Sequence, residues 1–205
     1  QGVASAHAQS GDQILDGIPV ADMAGSAVAD VTGVVCDSRQ VRPGTLFVAI
    51  RGSKEDGTAY IEDAMARGAA AILSESHVSG PRTVCRIRVA NARHALAQAA
   101  ATFYGHPSRK LDVVGVTGTN GKTTTAYLVR DMLRLAGRAP GLISTVEYVI
   151  GSRSIPARRT TPESPALQDL LAQMVHAGCG SAVMEVSSHA LDQDRAVGID
   201  FNVAV

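Results

Sequence analysis

The sequence is poor in aromatic residues, has no net charge and contains no long apolar run. Aromatic residues make up 3% of the 205 residues and Trp is absent, so Val, Leu, Ile and Ala must fill the core. Lys and Arg number 19 together, as do Asp and Glu, so no global field attracts nucleic acid or an anionic membrane. No apolar stretch reaches the roughly 20 residues of a membrane-spanning helix. Any anion that the protein binds must be held by a local site.

Cysteine is also scarce, and Cys36, Cys85 and Cys179 are far apart. Such spacing favours reduced thiols in a cytoplasmic protein over a disulfide framework or a metal site. Residues 1–10 lack the basic and apolar regions of a secretion signal, so we expect a loose terminus there. The chain has no initiating Met and stops on the apolar run 201–205, so we expect it to be part of a longer protein.

The first of two predicted domains, 1–108, is a small α/β unit. Apolar runs predict its strands at 31–36, 45–50, 69–74 and 84–89, the last half-exposed because Arg86 and Arg88 alternate with apolar residues. Helices are predicted at 60–67 and from Asn91, as the capping residue, to about Tyr104. Gly105-His-Pro-Ser108 ends the second helix, and we predict the domain boundary there.

The second predicted domain, 109–205, is a doubly wound, mostly parallel sheet that continues beyond the chain. Its first strand, 111–117, is nearly all apolar, which is typical of a parallel sheet covered on both faces. Further strands are predicted at 141–144, 182–186 and 201–205, with a hairpin over 146–155. Helices are predicted at 122–136 and from Ser164 to about Ala177. The first helix has an expected core-facing stripe of Leu128, Val129, Met132, Leu133 and Leu135.

A phosphate-binding loop is predicted where the first strand of this domain meets the helix that follows it. The segment is Gly115-Val-Thr-Gly-Thr-Asn-Gly-Lys-Thr-Thr-Thr125. Its glycines let backbone N–H groups point inward, and the helix N-terminus adds partial positive charge. The alternative is a glycine-rich turn with a chance Gly-Lys-Thr, which the flanking strand and helix disfavour. The residues predicted to bind a nucleoside triphosphate are Gly118, Thr119, Asn120, Gly121, Lys122, Thr123 and Thr124.

The general phosphate-binding loop has a glycine five residues before the glycine of its Gly-Lys pair. In this loop that position, five residues before Gly121, is Val116. The segment 117–124 resembles the ATP loop of the Mur ligases, the ATP-dependent amide-forming enzymes of peptidoglycan precursor synthesis. Segments 37–39, 43–50 and 56–57 resemble the uridine-nucleotide-binding domain of the third and fourth ligases. Two further segments resemble the third ligase, the MurE type. They are Thr160-Thr-Pro162 and residues 184–191 together with Gln193 and Arg195. The resemblance covers about residues 30–205.

The resemblance implies an ATP- and Mg²⁺-dependent ligase that extends UDP-N-acetylmuramoyl-L-alanyl-D-glutamate by a diamino acid, meso-diaminopimelate or L-lysine. ATP would phosphorylate the glutamate side-chain carboxylate, and the amine would attack the acyl phosphate. The N-terminal domain would bind the uridine nucleotide, and the protein would be a cytoplasmic monomer. A carbamylated lysine and the domain that selects the amine would lie downstream. We therefore expect residues 1–205 alone to bind the uridine nucleotide and to have no ligase turnover.

The resemblance also implies roles for individual residues. Lys122 and Glu185 would be catalytic, and Thr123 and Glu185 would hold Mg²⁺. Contacts to the muramoyl-peptide substrate would come from Thr160, Thr161, Ser187, Gln193 and Arg195. Contacts to its uridine nucleotide would come from Cys36 and Ser38, and more loosely from Ser53-Lys54-Glu55.

Each role has a non-functional alternative. Glu185 could be a solvated side chain at the end of a strand, and Arg195 could be a surface charge. Asp37 and Arg39 are interpreted as an ion pair that steadies their turn, and His189 as structural. Two other functions stay open: the related ligase that adds D-alanyl-D-alanine, and a nucleotide-binding module without catalysis. Thr160-Thr-Pro162 argues against the first, and intact Lys122 and Glu185 argue against the second.

Overall fold

The computed structural model describes residues 8–28, 30–52 and 55–205. Contacts divide them into two compact units, an N-terminal unit that ends at Phe103 and a C-terminal unit that begins at Tyr104. The predicted domain limits, 1–108 and 109–205, stay a prediction. Across the described ranges, none of the helices combines the length and apolar character needed to cross a bilayer.

The N-terminal unit is built on a five-stranded sheet in the order β1-β5-β4-β3-β2. Its strands are β1 (Val20–Ala24), β2 (Gly33–Val35), β3 (Thr45–Ala49), β4 (Ala71–Ser74) and β5 (Cys85–Val89). Neighbours from β2 to β5 are parallel, and β1 pairs antiparallel with β5. The helices are α1 (Gly11–Leu15), α2 (Ile61–Ala66) and α3 (Ala92–Phe103), with 3₁₀ turns at Ser38–Gln40 and Gly57–Tyr60.

Local sequence explains most of these elements. β3 is buried along its whole length, whereas β5 alternates and leaves Arg86 half-buried and Arg88 exposed, as predicted. The Asn91 side chain caps α3 by accepting a hydrogen bond from the His94 N–H at 2.9 Å. α1 and β1 lie where no element was predicted, because α1 is only five residues long and β1 is mostly exposed and does not alternate.

The expectation of a loose terminus is wrong at Gln9. Its backbone pairs with that of Val31 through N–H···O bonds of 3.0 and 2.7 Å. Its side-chain Nε2 also donates to the Phe103 carbonyl at 2.8 Å. Backbone pairing of this kind leaves no hydrophobic pattern in the sequence. Residues 1–7 lie outside the described part of the chain.

The C-terminal unit holds a six-stranded sheet in the order β11-β6-β10-β7-β8-β9. Its strands are β6 (Asp112–Val116), β7 (Pro140–Ile143), β8 (Glu147–Ile150), β9 (Arg153–Pro156), β10 (Ser181–Glu185) and β11 (Val203–Ala204). The first four strands of that order are parallel, and β8 and β9 add antiparallel. The helices are α4 (Lys122–Leu135), α5 (Ser164–His176) and α6 (Ser188–Asp192), with a 3₁₀ turn at Pro107–Lys110. The α/β class and the mostly parallel sheet are confirmed.

The main core of this unit lies between the sheet and α5, whose Leu167, Leu171 and Met174 are fully buried. The predicted hairpin is also present: Ile150 pairs with Arg153 across a two-residue turn, with Gly151 at φ 59°. α6 was not predicted because five residues give too little periodicity.

The apolar stripe predicted for α4 is wrong in part. Val129 and Leu133 pack against the buried cluster that includes Ala126. The other three residues are exposed by 60% at Leu128, 61% at Met132 and 85% at Leu135. At about 100° per residue, these three lie roughly 130° around the helix from the buried row. A single sheet face cannot cover both rows.

Candidate functional site

The predicted phosphate loop connects β6 to the N-terminus of α4. Gly118 and Gly121 have φ values of 128° and 80°, which residues with a side chain adopt only with strain. The Lys122 ammonium bends back over the loop and donates to the carbonyl oxygen of Gly118 at 2.7 Å and to that of Thr119 at 3.5 Å. The curled backbone, the lysine and the helix N-terminus therefore form a site suited to an anion.

Glu185 is the last residue of β10, the strand beside β6. The register pairs Glu185 with Val116, so the carboxyl ends of the two parallel strands meet at one edge. The Glu185 residue is 0% exposed, and its Oε2 accepts a hydrogen bond from the Thr123 hydroxyl at 3.0 Å. The structure thus joins the two residues predicted to hold Mg²⁺, and burial excludes a solvated glutamate.

Thr145 is a further site residue that the sequence did not reveal. Its N–H donates to Glu185 Oε1 at 2.9 Å, and its hydroxyl contacts Oε2 at 3.1 Å. The available signal was its place just after the predicted strand 141–144, by the same rule that located Glu185. Among the described residues, no Lys, Arg or His lies within 4.0 Å of the Glu185 carboxylate. The donors that the structure describes around this buried carboxylate, Thr123 and Thr145, are all neutral.

These groups line an open cleft of about 300 Å³ in the C-terminal unit. The lining residues are Thr119, Asn120, Gly121, Lys122, Thr123, Thr124, Thr145, Thr160, Glu185 and Ser187. Gly118 shapes the loop but does not line the cleft. The donor set of a carboxylate and several hydroxyls fits Mg²⁺, which prefers oxygen ligands and commonly takes one or two carboxylates together with phosphate oxygens.

The two adjacent threonines of the segment 160–162 have different environments. Thr160 faces the cleft, and its hydroxyl lies 3.1 Å from that of Thr145. Thr161 is 2% exposed, donates to the Glu185 carbonyl at 2.9 Å and accepts from the Ser187 N–H at 3.1 Å. Thr160 is therefore available to a ligand, whereas Thr161 fixes its own segment to the end of β10. Substrate contacts by either residue stay a prediction.

Arg195 and Gln193 support the site from behind. Arg195 is 8% exposed, so it is no surface charge. Its guanidinium donates to the Thr161 carbonyl at 3.0 Å and to Gln193 Oε1 at 2.8 Å. It also forms an ion pair of 2.9 Å with Glu163. Neither Arg195 nor Gln193 lines the cleft, and their predicted substrate contacts are untested. His189 is exposed on α6.

The predicted uridine contacts lie at the carboxyl end of β2, in the N-terminal unit. Asp37 and Arg39 form the expected ion pair, at 2.7 Å, and the guanidinium lowers the pKa of the Asp37 carboxyl. Ser38 is buried, and the pKa of the Asp63 carboxyl is lowered first by the Arg67 guanidinium and then by the Ser38 hydroxyl. Cys36 is half-buried. Binding by Cys36 and Ser38 stays a prediction, and Ser53 and Lys54 lie outside the described residues.

Comparison with known proteins gives matches over most of the chain. The Mur ligase family, catalytic domain, matches residues 30–104, and the Mur ligase middle domain matches residues 116–205. The chain is 53% identical over 180 residues to a UDP-N-acetylmuramyl-tripeptide synthetase of Deinococcus radiodurans, across 86% of this chain and 37% of the relative. It is 49% identical to a UDP-N-acetylmuramoyl-L-alanyl-D-glutamate–2,6-diaminopimelate ligase of Solibacter usitatus, across 87% and 36%.

A solved structure of a UDP-N-acetylmuramoyl-L-alanyl-D-glutamate–2,6-diaminopimelate ligase has the same fold. It matches with a TM-score of 0.80 at 26% identity, covering 96% of this chain and 39% of that chain. The chain spans just over a third of the length of these relatives. On its two domain matches, its fold and its phosphate loop, the chain belongs to the Mur ligase family, of which it carries the N-terminal and middle domains.

Proposed function

We propose that the full-length protein is a MurE-type ligase. It would use ATP to join meso-diaminopimelate, or L-lysine, to UDP-N-acetylmuramoyl-L-alanyl-D-glutamate in the cytoplasm, as a monomer. Members of the Mur ligase family depend on ATP. The observation that carries the proposal is the buried Glu185 carboxylate, 3.0 Å from the Thr123 hydroxyl, in the cleft formed by the phosphate loop.

Binding of ATP would rest on the loop 118–124. The backbone N–H groups of the loop and the α4 N-terminus would hold the phosphates, and Lys122 would place its charge beside the terminal ones. Thr123 and Glu185 would hold Mg²⁺ together with phosphate oxygens and water. When bound, the cation would neutralise charge on the phosphoryl group that is transferred.

The chemistry converts a poor acyl donor into a good one. An oxygen of the substrate's glutamate side-chain carboxylate forms a bond to the γ-phosphorus of ATP, and the bond from that phosphorus to ADP breaks. The amine nitrogen then attacks the acyl carbon, and phosphate leaves with the electron pair of the carbon–oxygen bond as the amine loses a proton. Lys122 would offset negative charge in the first step, and Thr160 would help to position the acceptor.

The names of the relatives bear on the incoming amine. The Solibacter usitatus relative and the solved structure are both named 2,6-diaminopimelate ligases, whereas the name of the Deinococcus radiodurans relative specifies no amine. We therefore favour meso-diaminopimelate. We place the choice between amines in the part of the full-length protein that these residues do not include.

The experiment is a product assay with the full-length protein, ATP, Mg²⁺ and the UDP-linked muramoyl dipeptide. Diaminopimelate and lysine are supplied in separate reactions, and mass spectrometry detects the tripeptide product alongside ADP release. We expect product with diaminopimelate. Product with lysine alone would correct the amine. Product with neither, together with joining of D-alanyl-D-alanine to the completed tripeptide substrate, would overturn the proposal.

A further inference from the structure

We propose that Thr145 is a positioning residue that holds the Glu185 carboxylate in the orientation needed to bind a divalent cation. This inference rests on the proposed function, because it concerns the same ATP-binding cleft. Among the described residues, three hydrogen bonds reach the carboxylate, and Thr145 supplies two of them, one from its backbone N–H and one from its hydroxyl. The Thr123 hydroxyl supplies the third.

The direction of each hydrogen bond follows from the number of protons available. An ionised carboxylate only accepts hydrogen bonds, so both threonine hydroxyls must give their single proton to Glu185. The Thr145 hydroxyl can then only accept from Thr160, whose hydroxyl lies 3.1 Å away. The resulting chain runs from Thr160 through Thr145 to Glu185, and Thr123 approaches the carboxylate independently.

This arrangement leaves specific acceptor positions for a cation. A carboxylate has about four lone-pair directions, and the three donors leave about one of them for a metal. Because the Thr123 proton faces Glu185, the remaining lone pairs of that hydroxyl are also available to a cation. One carboxylate bond and one hydroxyl bond suit Mg²⁺, which completes its shell with phosphate oxygens and water.

The turn that carries Thr145 is itself fixed by a side chain. Ser144 is fully buried, and its hydroxyl accepts from the N–H groups of Val146 and Glu147, each at 3.1 Å. The same hydroxyl donates to the Glu147 carbonyl at 2.9 Å. The Thr145 N–H is therefore oriented by a closed turn. Groups that orient a metal ligand in this way typically change metal affinity or activity by 10–100-fold when they are removed.

The test compares Thr145→Val, which removes the hydroxyl and keeps the N–H, with Thr145→Ser, which keeps both. Thr145→Ala is a second variant without the hydroxyl. Thr32→Val is the matched control, because Thr32 is also an exposed threonine with a hydroxyl hydrogen bond, 2.9 Å to the Pro43 carbonyl, in the N-terminal unit. In the full-length proteins, Mn²⁺ bound in the presence of ADP is measured by electron paramagnetic resonance, and the Mg²⁺ dependence of turnover and the Tm are recorded.

We expect Thr145→Val and Thr145→Ala to weaken Mn²⁺ binding by about 10–100-fold, with the Tm unchanged. Thr145→Ser and Thr32→Val should resemble wild type, and excess Mg²⁺ should restore part of the turnover of Thr145→Val. Wild-type Mn²⁺ affinity in both hydroxyl-deleted variants would overturn the inference and leave the proposed function standing, as would an equal loss in Thr145→Ser. A wild-type protein that binds no Mn²⁺ with ADP would overturn both.

Discussion

The carboxyl edges of the two sheets carry polar residues that satisfy their hydrogen bonds in different ways. In the N-terminal unit, Asp37 follows β2 and pairs with Arg39 two residues later, with side-chain exposures of 32% and 83%. In the C-terminal unit, Glu185 ends β10 at 0% exposure and is held by residues that follow two other strands, β6 and β7. In the first arrangement an arginine in the same turn neutralises the carboxylate. In the second, the described partners of the carboxylate are the neutral groups of Thr123 and Thr145. Only the second has the form of a metal-binding site.

The largest effect is expected from Lys122→Ala in the full-length protein. Loss of one preorganised charge at the transferring phosphoryl group should lower kcat/KM by about 10²–10³-fold, since groups of this kind commonly contribute that much. Steady-state kinetics on the ligase reaction provide the measurement. Lys110→Ala, which removes an exposed lysine away from the cleft, is the matched control. A loss of activity in Lys110→Ala as large as that in Lys122→Ala would mean that the effect is not specific to the phosphate loop.

Thr161→Val should destabilise the C-terminal unit by about 1–3 kcal/mol, because it removes the partner of the buried Glu185 carbonyl and of the part-buried Ser187 N–H. Thr32→Val makes the same chemical change at an exposed position and should cost no more than about 0.5 kcal/mol. Urea unfolding of both variants measures the difference. Equal costs would mean that the buried edge is no more tightly organised than the exposed turn.

Gly121→Ala should cost about 1–2 kcal/mol, because φ is 80° and a Cβ there meets no atom within 4 Å, so only the backbone is strained. Gly137 has φ 76° and equally open surroundings at the end of α4, so Gly137→Ala should cost about the same. Calorimetry with ADP then separates the roles. Weaker ADP binding is expected in Gly121→Ala and not in Gly137→Ala. An equal loss of ADP affinity in Gly137→Ala would mean that the conformation of the loop 118–124 has no specific role in binding ADP.

The smallest effect is expected from Asp37→Asn, which keeps the oxygen that caps the 3₁₀ turn and removes only the charge. The ion pair is well exposed, so the cost at pH 7 should stay below about 1 kcal/mol. Arg39 lowers the pKa of Asp37, so the stabilisation exists above the ordinary Asp value of about 3.9 and is lost as the pH falls through the lowered pKa. Urea unfolding between pH 7 and pH 2 tests this, and a difference that grows at low pH would contradict it.

The sequence predicts well what depends on neighbours along the chain. Apart from β1, the strands of both units follow from local patterns, as do the hairpin, the N-cap of α3 and the phosphate loop. The place of Glu185 at a strand end follows from them too. Thr145 also follows a predicted strand, but its contact with Glu185 depends on β7 lying beside β10, which no local pattern predicts. The inward orientations of Thr161 and Arg195, and the exposure of Leu135, are likewise set by tertiary packing.

The loop 118–124 and Glu185 are expected to bind a nucleotide together with its metal. Calorimetric titration of the full-length protein with ADP, with and without Mg²⁺, tests this most directly when wild type is compared with Glu185→Gln. We predict that Mg²⁺ strengthens ADP binding to wild type and that Glu185→Gln loses this gain while keeping the weaker metal-free binding by the loop. An equal gain from Mg²⁺ in both proteins would mean that Glu185 does not bind the metal.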